Sequence, residues 1–308
     1  MANRNLQRIY KQYQQQRASG SAAATRTSGS QGSVVEPQGR QPAVYTSPAS
    51  MDDIMLAPGE RGLMLGMTRE GKSTLSEVQI DHWYNNYKDA DILIVDSKPR
   101  FRAEWQLNGL PAAPIYRNWD WGTLVPNSVV IPMRDVESEI RLAWSLRYRI
   151  IIAQIQDRSD IGLLDQALKI AYMKRRKRHK LFIYVDELNN FFKVGVKGIQ
   201  AGTGIIMAIT SGGERNTAFL GAGQRPRNIS VESIESMTKL FWFYTPFIED
   251  NKHLRSMDLP IDSIPPESRS YAFLFFDRIR KKKGWARIKP ISVKPKERKG
   301  SKGWINYG

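Results

Sequence analysis

A chain of 308 residues, 41% of them hydrophobic, has length for one large or two small domains and apolar content for a sizeable core. Its 47 basic residues against 30 acidic give a net charge of +17, which favours a nucleic acid or an acidic membrane surface as partner unless the charge sits in solvated tails. The absence of cysteine excludes disulfides, Cys-ligated zinc and thiol catalysis. No apolar run approaches the roughly 18 residues of a transmembrane helix, and the N-terminus lacks a signal-peptide core.

Residues 1–50 are rich in Gln, Ser, Ala, Gly and Arg and poor in large aliphatics after Ile9. Such a stretch cannot bury enough surface to offset its ordering entropy. It reads as a basic, polar tail, disordered over 18–50, with residues 3–17 able to form a short basic helix on a partner or to stay solvated. A globular domain is expected over 51–280, and 281–308 as a basic tail that closes a terminal hairpin.

The domain opens on Gly62-Leu63-Met64-Leu65, a short buried-strand run. Gly66-Met67-Thr68-Arg69-Glu70-Gly71-Lys72-Ser73-Thr74 follows and fits G-x-x-x-x-G-K-[ST], the phosphate-cradling P-loop. Residues 75–84 then have roughly helical spacing. Strand, glycine loop and helix are the context this motif needs. The glycines let backbone wrap a polyphosphate, and loop N–H groups at a helix N-terminus face the anion. Lys72 is expected on the β- and γ-phosphates and Ser73 on Mg²⁺.

Residues 91–96 read as a second buried strand ending in Asp96-Ser97-Lys98, residues 100–127 as an irregular connection, and 127–132 as a short strand. Helical spacing runs over 136–156 and 161–173. A strand over 180–185 is followed at once by Asp186-Glu187. Residues 197–212 hold four glycines yet suit a helix. A strand over 217–224 ends in Gln224, a short helix suits 231–238, and strands suit 239–244, 270–277 and 284–288. Strands alternating with helices argue an α/β domain with a mostly parallel sheet.

Three features carry chemistry. An acid ending a strand beside the P-loop can hold the Mg²⁺ shell, and Asp186 fits; Glu187 beside it can orient and polarise a water as a general base. The plain alternative is a pair of acids capping the next helix. Gln224, at another strand end, could sense the γ-phosphate. Arg215, just ahead of that strand, and Arg225 and Arg227, just after it, are candidates for an arginine that stabilises transition-state charge across a subunit interface. Phosphate-backbone contact or a plain surface position is the alternative for each.

The ordered set GMTREGKST, DILIVDSK, LFIYVDEL, GGERN and FLGAGQRPRNIS resembles the FtsK–HerA superfamily of P-loop motor ATPases over about residues 58–280. The resemblance implies a RecA-like (ASCE) P-loop NTPase core, ATP and Mg²⁺ as cofactors, and a homo-oligomeric ring, a hexamer, that moves double-stranded DNA. By position it assigns Lys72 and Ser73 to the P-loop roles, Asp186 to the metal and Glu187 to the base. Gln224 becomes the sensor and Arg215 the arginine acting in trans. Thr68-Arg69-Glu70 are bulkier and more charged than the Gly and Ser usual there. The lack of a membrane segment and of an N-terminal β-barrel domain makes the chain most similar to the genome-packaging ATPases of tailless viruses with internal membranes. That implies a cytoplasmic protein, the host's cytoplasm if viral, with the tails available to a capsid vertex or a membrane-associated protein.

Two basic tracts are candidates for non-specific phosphate contact. Lys174-Arg175-Arg176-Lys177-Arg178-His179-Lys180 precedes the Asp-Glu strand, so it sits at the sheet edge away from the nucleotide, facing DNA or solvent. Residues 278–302 hold twelve basic residues and one acid, Glu297, with Trp285 and, just beyond, Trp304 interleaved; anionic membrane is the rival partner. Rival functions are an ATPase for protein secretion or virion morphogenesis, a conjugative DNA-transfer ATPase, and a non-enzymatic basic binder with a degenerate P-loop.

Overall fold

The computed structural model describes residues 50–67, 71–98, 100–107, 123–155, 157–174, 179–195, 198–210, 216–243, 249, 252 and 272–288, all within the unit Pro42–Gly308. Outside them lie the expected N-terminal tail but for Ser50, the loop residues Thr68, Arg69 and Glu70, the basic residues Arg175–Arg178, Arg215, and the C-terminal tract from residue 289 on.

The strands are β1 (Arg61–Leu65), β2 (Asp91–Asp96), β3 (Phe101–Gln106), β4 (Thr123–Ile131), β5 (Ile150–Gln154), β6 (Leu181–Asp186), β7 (Phe192–Gly195), β8 (Gly198–Ala201), β9 (Thr217–Gly223), β10 (Lys239–Phe243), β11 (Ala272–Asp277) and β12 (Lys282–Arg287). Between them run α1 (Met51–Ile54), α2 (Lys72–Asn86), α3 (Val136–Ser145), α4 (Ile161–Lys174), α5 (Thr203–Thr210) and α6 (Val231–Glu235). Ten strands form one sheet in the order β12-β11-β10-β1-β9-β6-β2-β5-β4-β3. Pairing is parallel from β10 to β3, and the β11–β12 hairpin closes one edge antiparallel. This is the α/β, mostly parallel architecture expected of a RecA-like P-loop domain.

A sheet covered on both faces needs strands apolar on both faces, and β2, β6 and β9 are buried almost end to end. Alternate residues divide between two apolar layers. Met64, Ile94, Phe182 and Tyr184 pack with Leu75, Ile80 and Trp83 of α2. Leu63, Val95, Ile183 and Val185 pack with Ile140 of α3, Leu164 and Leu168 of α4, and Ile205 of α5. Among the described residues, α1 and α2 thus pack on one face of the sheet and α3, α4, α5 and α6 on the other.

Three expectations change. The helix expected over 136–156 ends at Ser145, and Ile150–Gln154 is instead the interior strand β5, between β2 and β4 and buried throughout. Arg147, at φ 62°, lies in the turn that separates them. A run of β-branched residues with all sides buried suits a strand, and its apolar positions happened to continue the helical spacing. The connection read as irregular over 100–127 contains β3 and the start of β4, which pair in parallel with a register shift between Ala103 and Trp105. Within 197–212 the helix is confined to Thr203–Thr210, and β8 ahead of it forms a hairpin with β7.

Candidate active site

Parallel α/β sheets bind ligands beyond the carboxyl ends of their strands. Here β1, β2, β6 and β9 deliver the P-loop, Asp96, Asp186 and Gln224 to that one edge. An open cleft lies there, bordered by Lys72, Ser73, Arg100, Asp186, Glu187 and the end of β9 from Ala222 to Gln224.

The P-loop's glycines are required by geometry. Gly66 has φ +144°, and a Cβ on it would stand 2.6 Å from Cβ of Phe243 and 2.9 Å from its carbonyl oxygen. Gly71 caps α2 in the left-handed region at φ 107°, with no side-chain cap on the first turn. The N–H groups at that end are therefore left for an anion. Lys72 Nζ folds back and donates to the carbonyls of Gly66 at 2.6 Å and Met67 at 2.5 Å. A phosphate would offer this ammonium a charged partner in the same place. Ser73 borders the cleft one residue further along α2, and Thr74 continues the same first turn.

Asp186 and Glu187 are presented differently. Asp186 ends β6 and is buried, accepting at Oδ1 from the Tyr184 hydroxyl at 2.9 Å, with Arg100 4.0 Å away. Burial raises its carboxyl above the usual range; Arg100 opposes that shift and the charge of Glu187 adds to it. Glu187 leaves the strand in the left-handed region at φ 52°. Its Oε1 accepts from Gln224 Nε2 at 2.6 Å and from Lys98 Nζ at 2.9 Å. A strained φ in a residue with a Cβ costs energy and marks positions where direction matters.

Strand order explains how Gln224 reaches Glu187. β9 lies between β1 and β6, so its end stands between the P-loop lysine and the acidic pair. Asn189 fastens the two strand ends. It accepts from Gln224 N at 2.8 Å and donates to the Arg225 carbonyl at 2.7 Å. Asn189→Ala is expected to lower stability by about 1–3 kcal/mol, because it removes both bonds and takes the side-chain acceptor from the half-buried Gln224 N–H. The urea midpoint measures it; a loss under about 0.5 kcal/mol would mean other contacts hold the strand ends together.

Of the residues singled out in the sequence, Lys72, Ser73, Asp186, Glu187 and Gln224 meet at the cleft. Arg225 adjoins it through its backbone, whereas Arg227 turns away to pair with Glu249. Lys180 lies at the opposite sheet edge, paired with Asp89. Sequence reasoning missed Lys98, Arg100 and Asn189. The signal for the first two was present: cations just past a buried strand ending in Asp96.

The donor set fits a phosphate-bound divalent ion better than a protein-held one. Among the described residues no three His, Cys, Asp or Glu side chains cluster as metal ligands. One hydroxyl, Ser73, and two carboxylates, Asp186 and Glu187, border the cleft beside Lys72. Mg²⁺ takes few protein ligands and completes its shell with phosphate oxygens and water.

No protein-family model matches the chain, and no curated protein matches it. Among solved structures it is similar to the DNA-packaging ATPase of Sulfolobus turreted icosahedral virus, at 16% identity over 77% of this chain and 100% of that one, with a TM-score of 0.48. The genome packaging NTPase of Sulfolobus turreted icosahedral virus 2 in complex with AMPPCP gives 16% identity, the same coverages and a TM-score of 0.49. VirB4 of Thermoanaerobacter pseudethanolicus gives 10% identity over 74% of this chain and 89% of that one, with a TM-score of 0.41.

Proposed function

We propose that this chain is an ATP-hydrolysing motor that translocates double-stranded DNA, in the setting of viral genome packaging. The observation that carries the hydrolytic half is the convergence of Lys72, Ser73, Asp186, Glu187 and Gln224 on one cleft at the sheet's carboxyl edge. Lys72, with the α2 N-terminus, would bind the β- and γ-phosphates. Ser73 and Asp186 would hold Mg²⁺, which supplies charge neutralisation on the phosphate oxygens. Glu187 would take a proton from the attacking water, its carboxylate steadied by Gln224. Arg215, which lies outside the described residues, is proposed to act on the cleft of a neighbouring subunit in a ring, a hexamer by the family resemblance.

The DNA half rests on charge. The β11–β12 turn and the start of β12 carry Arg278, Arg280, Lys281, Lys282 and Lys283, of which Arg280 pairs with Glu60 and Asp277 and Lys282 with Asp53, and because β11 runs antiparallel this end of the hairpin lies at the edge of the sheet away from the cleft. Non-specific phosphate contacts of this kind are sequence-tolerant and salt-dependent, as a motor on any sequence requires. Among the described residues no helix is long and apolar enough to cross a membrane.

The test is steady-state ATP hydrolysis with and without long duplex DNA. Severalfold stimulation that fades as salt rises is expected. Hydrolysis indifferent to DNA would move the reading to an ATPase that moves or assembles protein. No hydrolysis by folded protein that binds nucleotide would leave a binding role.

A further inference from the structure

We infer that Lys98 is a positioning residue for the water-activating carboxylate: with Gln224 it clamps one oxygen of Glu187 so that the other faces the cleft. The inference rests on the hydrolytic reading above. Lys98 Nζ and Gln224 Nε2 both donate to the same atom, Oε1, at 2.9 and 2.6 Å. A carboxylate so held keeps Oε2 for a further donor, and a water in the cleft is such a donor.

Lys98 reaches Glu187 because the turn that carries it is fastened to the end of β6. Asp96 stands opposite Asp186 in the β2–β6 register. Asp96 Oδ2 accepts from the backbone N–H groups of Arg100 at 2.5 Å and Phe101 at 2.7 Å, which fixes the chain's course past Lys98. Ser97 Oγ donates to the Asp186 carbonyl at 3.3 Å and accepts from Asn190 Nδ2 at 2.9 Å. A lysine two residues past Asp96 is thereby set beside a glutamate one residue past Asp186, although 89 positions separate them.

A phosphate-binding lysine would have to border the cleft. Lys98 does not, whereas Lys72 and Arg100 do. Its side chain is 45% exposed. A surface ion pair of this exposure adds little stability, so the contact's value lies in orientation.

The experiment compares Lys98→Met and Lys98→Arg with the unaltered full-length chain in kcat, KM and ADP affinity, beside thermal unfolding. For Lys98→Met a fall in kcat of about 10–100-fold is expected, with ADP affinity and unfolding temperature unchanged. Lys98→Arg, which keeps a cation within reach, is expected to recover much of the rate. An unchanged or raised kcat in Lys98→Met overturns the inference. So does a parallel loss of ADP affinity, which would make Lys98 a phosphate ligand, or a loss that tracks unfolding temperature. An unaltered chain that binds ADP but hydrolyses nothing removes the hydrolytic reading, and this inference with it. Normal hydrolysis with an indifferent Lys98→Met removes the inference alone.

Discussion

Glu187→Gln is expected to lower kcat for ATP by about a thousandfold while ATP affinity stays within about threefold of the original, because a positioned general base contributes roughly 10²–10⁴. The substitution is nearly isosteric. Its amide oxygen can still accept from Gln224 and Lys98, which now meet at Glu187 Oε1, so the strand ends should keep their arrangement. What changes is the second position, where an amide nitrogen replaces the oxygen and cannot accept a proton from water. The groups assigned to the phosphates, Lys72 and the first turn of α2, are untouched. A loss of kcat with binding retained is the signature of an interaction made only in the transition state. Glu187→Gln that turns over within a few-fold of the original would mean that another group activates the water, and that Glu187's left-handed backbone serves only the fold. A loss of binding in step with turnover would instead assign Glu187 to the nucleotide.

The parts of this site legible in the sequence are those whose signal is local. The P-loop announces itself within nine residues, and its strand and helix lie immediately on either side. Asp186-Glu187 follows a short, continuous apolar run of a length that suits a buried strand, and Gln224 ends another. The contacts that join these pieces are not local. Lys98 meets Glu187, and Asn189 meets Gln224 and Arg225, only because β2, β6 and β9 are neighbours in the sheet. No spacing rule within one segment reports that. β5 was hidden for a different reason: Ile150–Ala153 extends the apolar spacing of α3, so periodicity could not show that one element had ended and another begun. Arg147 at φ 62° carries the change of direction without the glycine that would have flagged it. β3 alternates buried Phe101 and Ala103 with less buried Arg102 and Glu104, but it is short and its partner β4 lies beyond a long connection.

Asp96 gives the second large effect, and it falls on stability against pH. Its carboxyl is fully buried at the end of β2, and burial, with the like charge of Asp186 beside it, pushes it up to about 7 from 3.8. Oδ2 accepts from Arg100 N, Phe101 N and, at 2.9 Å, Gln154 Nε2, while among the described residues Oδ1 has no hydrogen-bond partner. The sign follows from proton counts. Below pH 4 or so the folded and unfolded chains both hold this proton. Between about 4 and 7 the folded chain holds it and the unfolded chain does not, so stability falls as pH rises. Above about 7 the loss is complete, and it amounts to something on the order of 2–4 kcal/mol. Asp96→Asn is neutral throughout and keeps a carbonyl oxygen for the three donors. Its amide nitrogen takes the place of the unpartnered oxygen. Urea unfolding of the nucleotide-free protein at pH 5 and pH 8 is therefore expected to show a clear drop for the original chain and a much smaller one for Asp96→Asn. Asp186, also raised by burial, leaves a residual slope of the same sign. Equal slopes in the two proteins would show that Asp96 is ionised across this range, so that Arg100 and the backbone donors outweigh its burial. If the slope flattens as expected, a proton resides between the two strand ends at pH 5–6. The charge on that pair is then closer to one carboxylate than to two, and Asp186, which unlike Asp96 borders the cleft, is the one of the two placed to meet a cation.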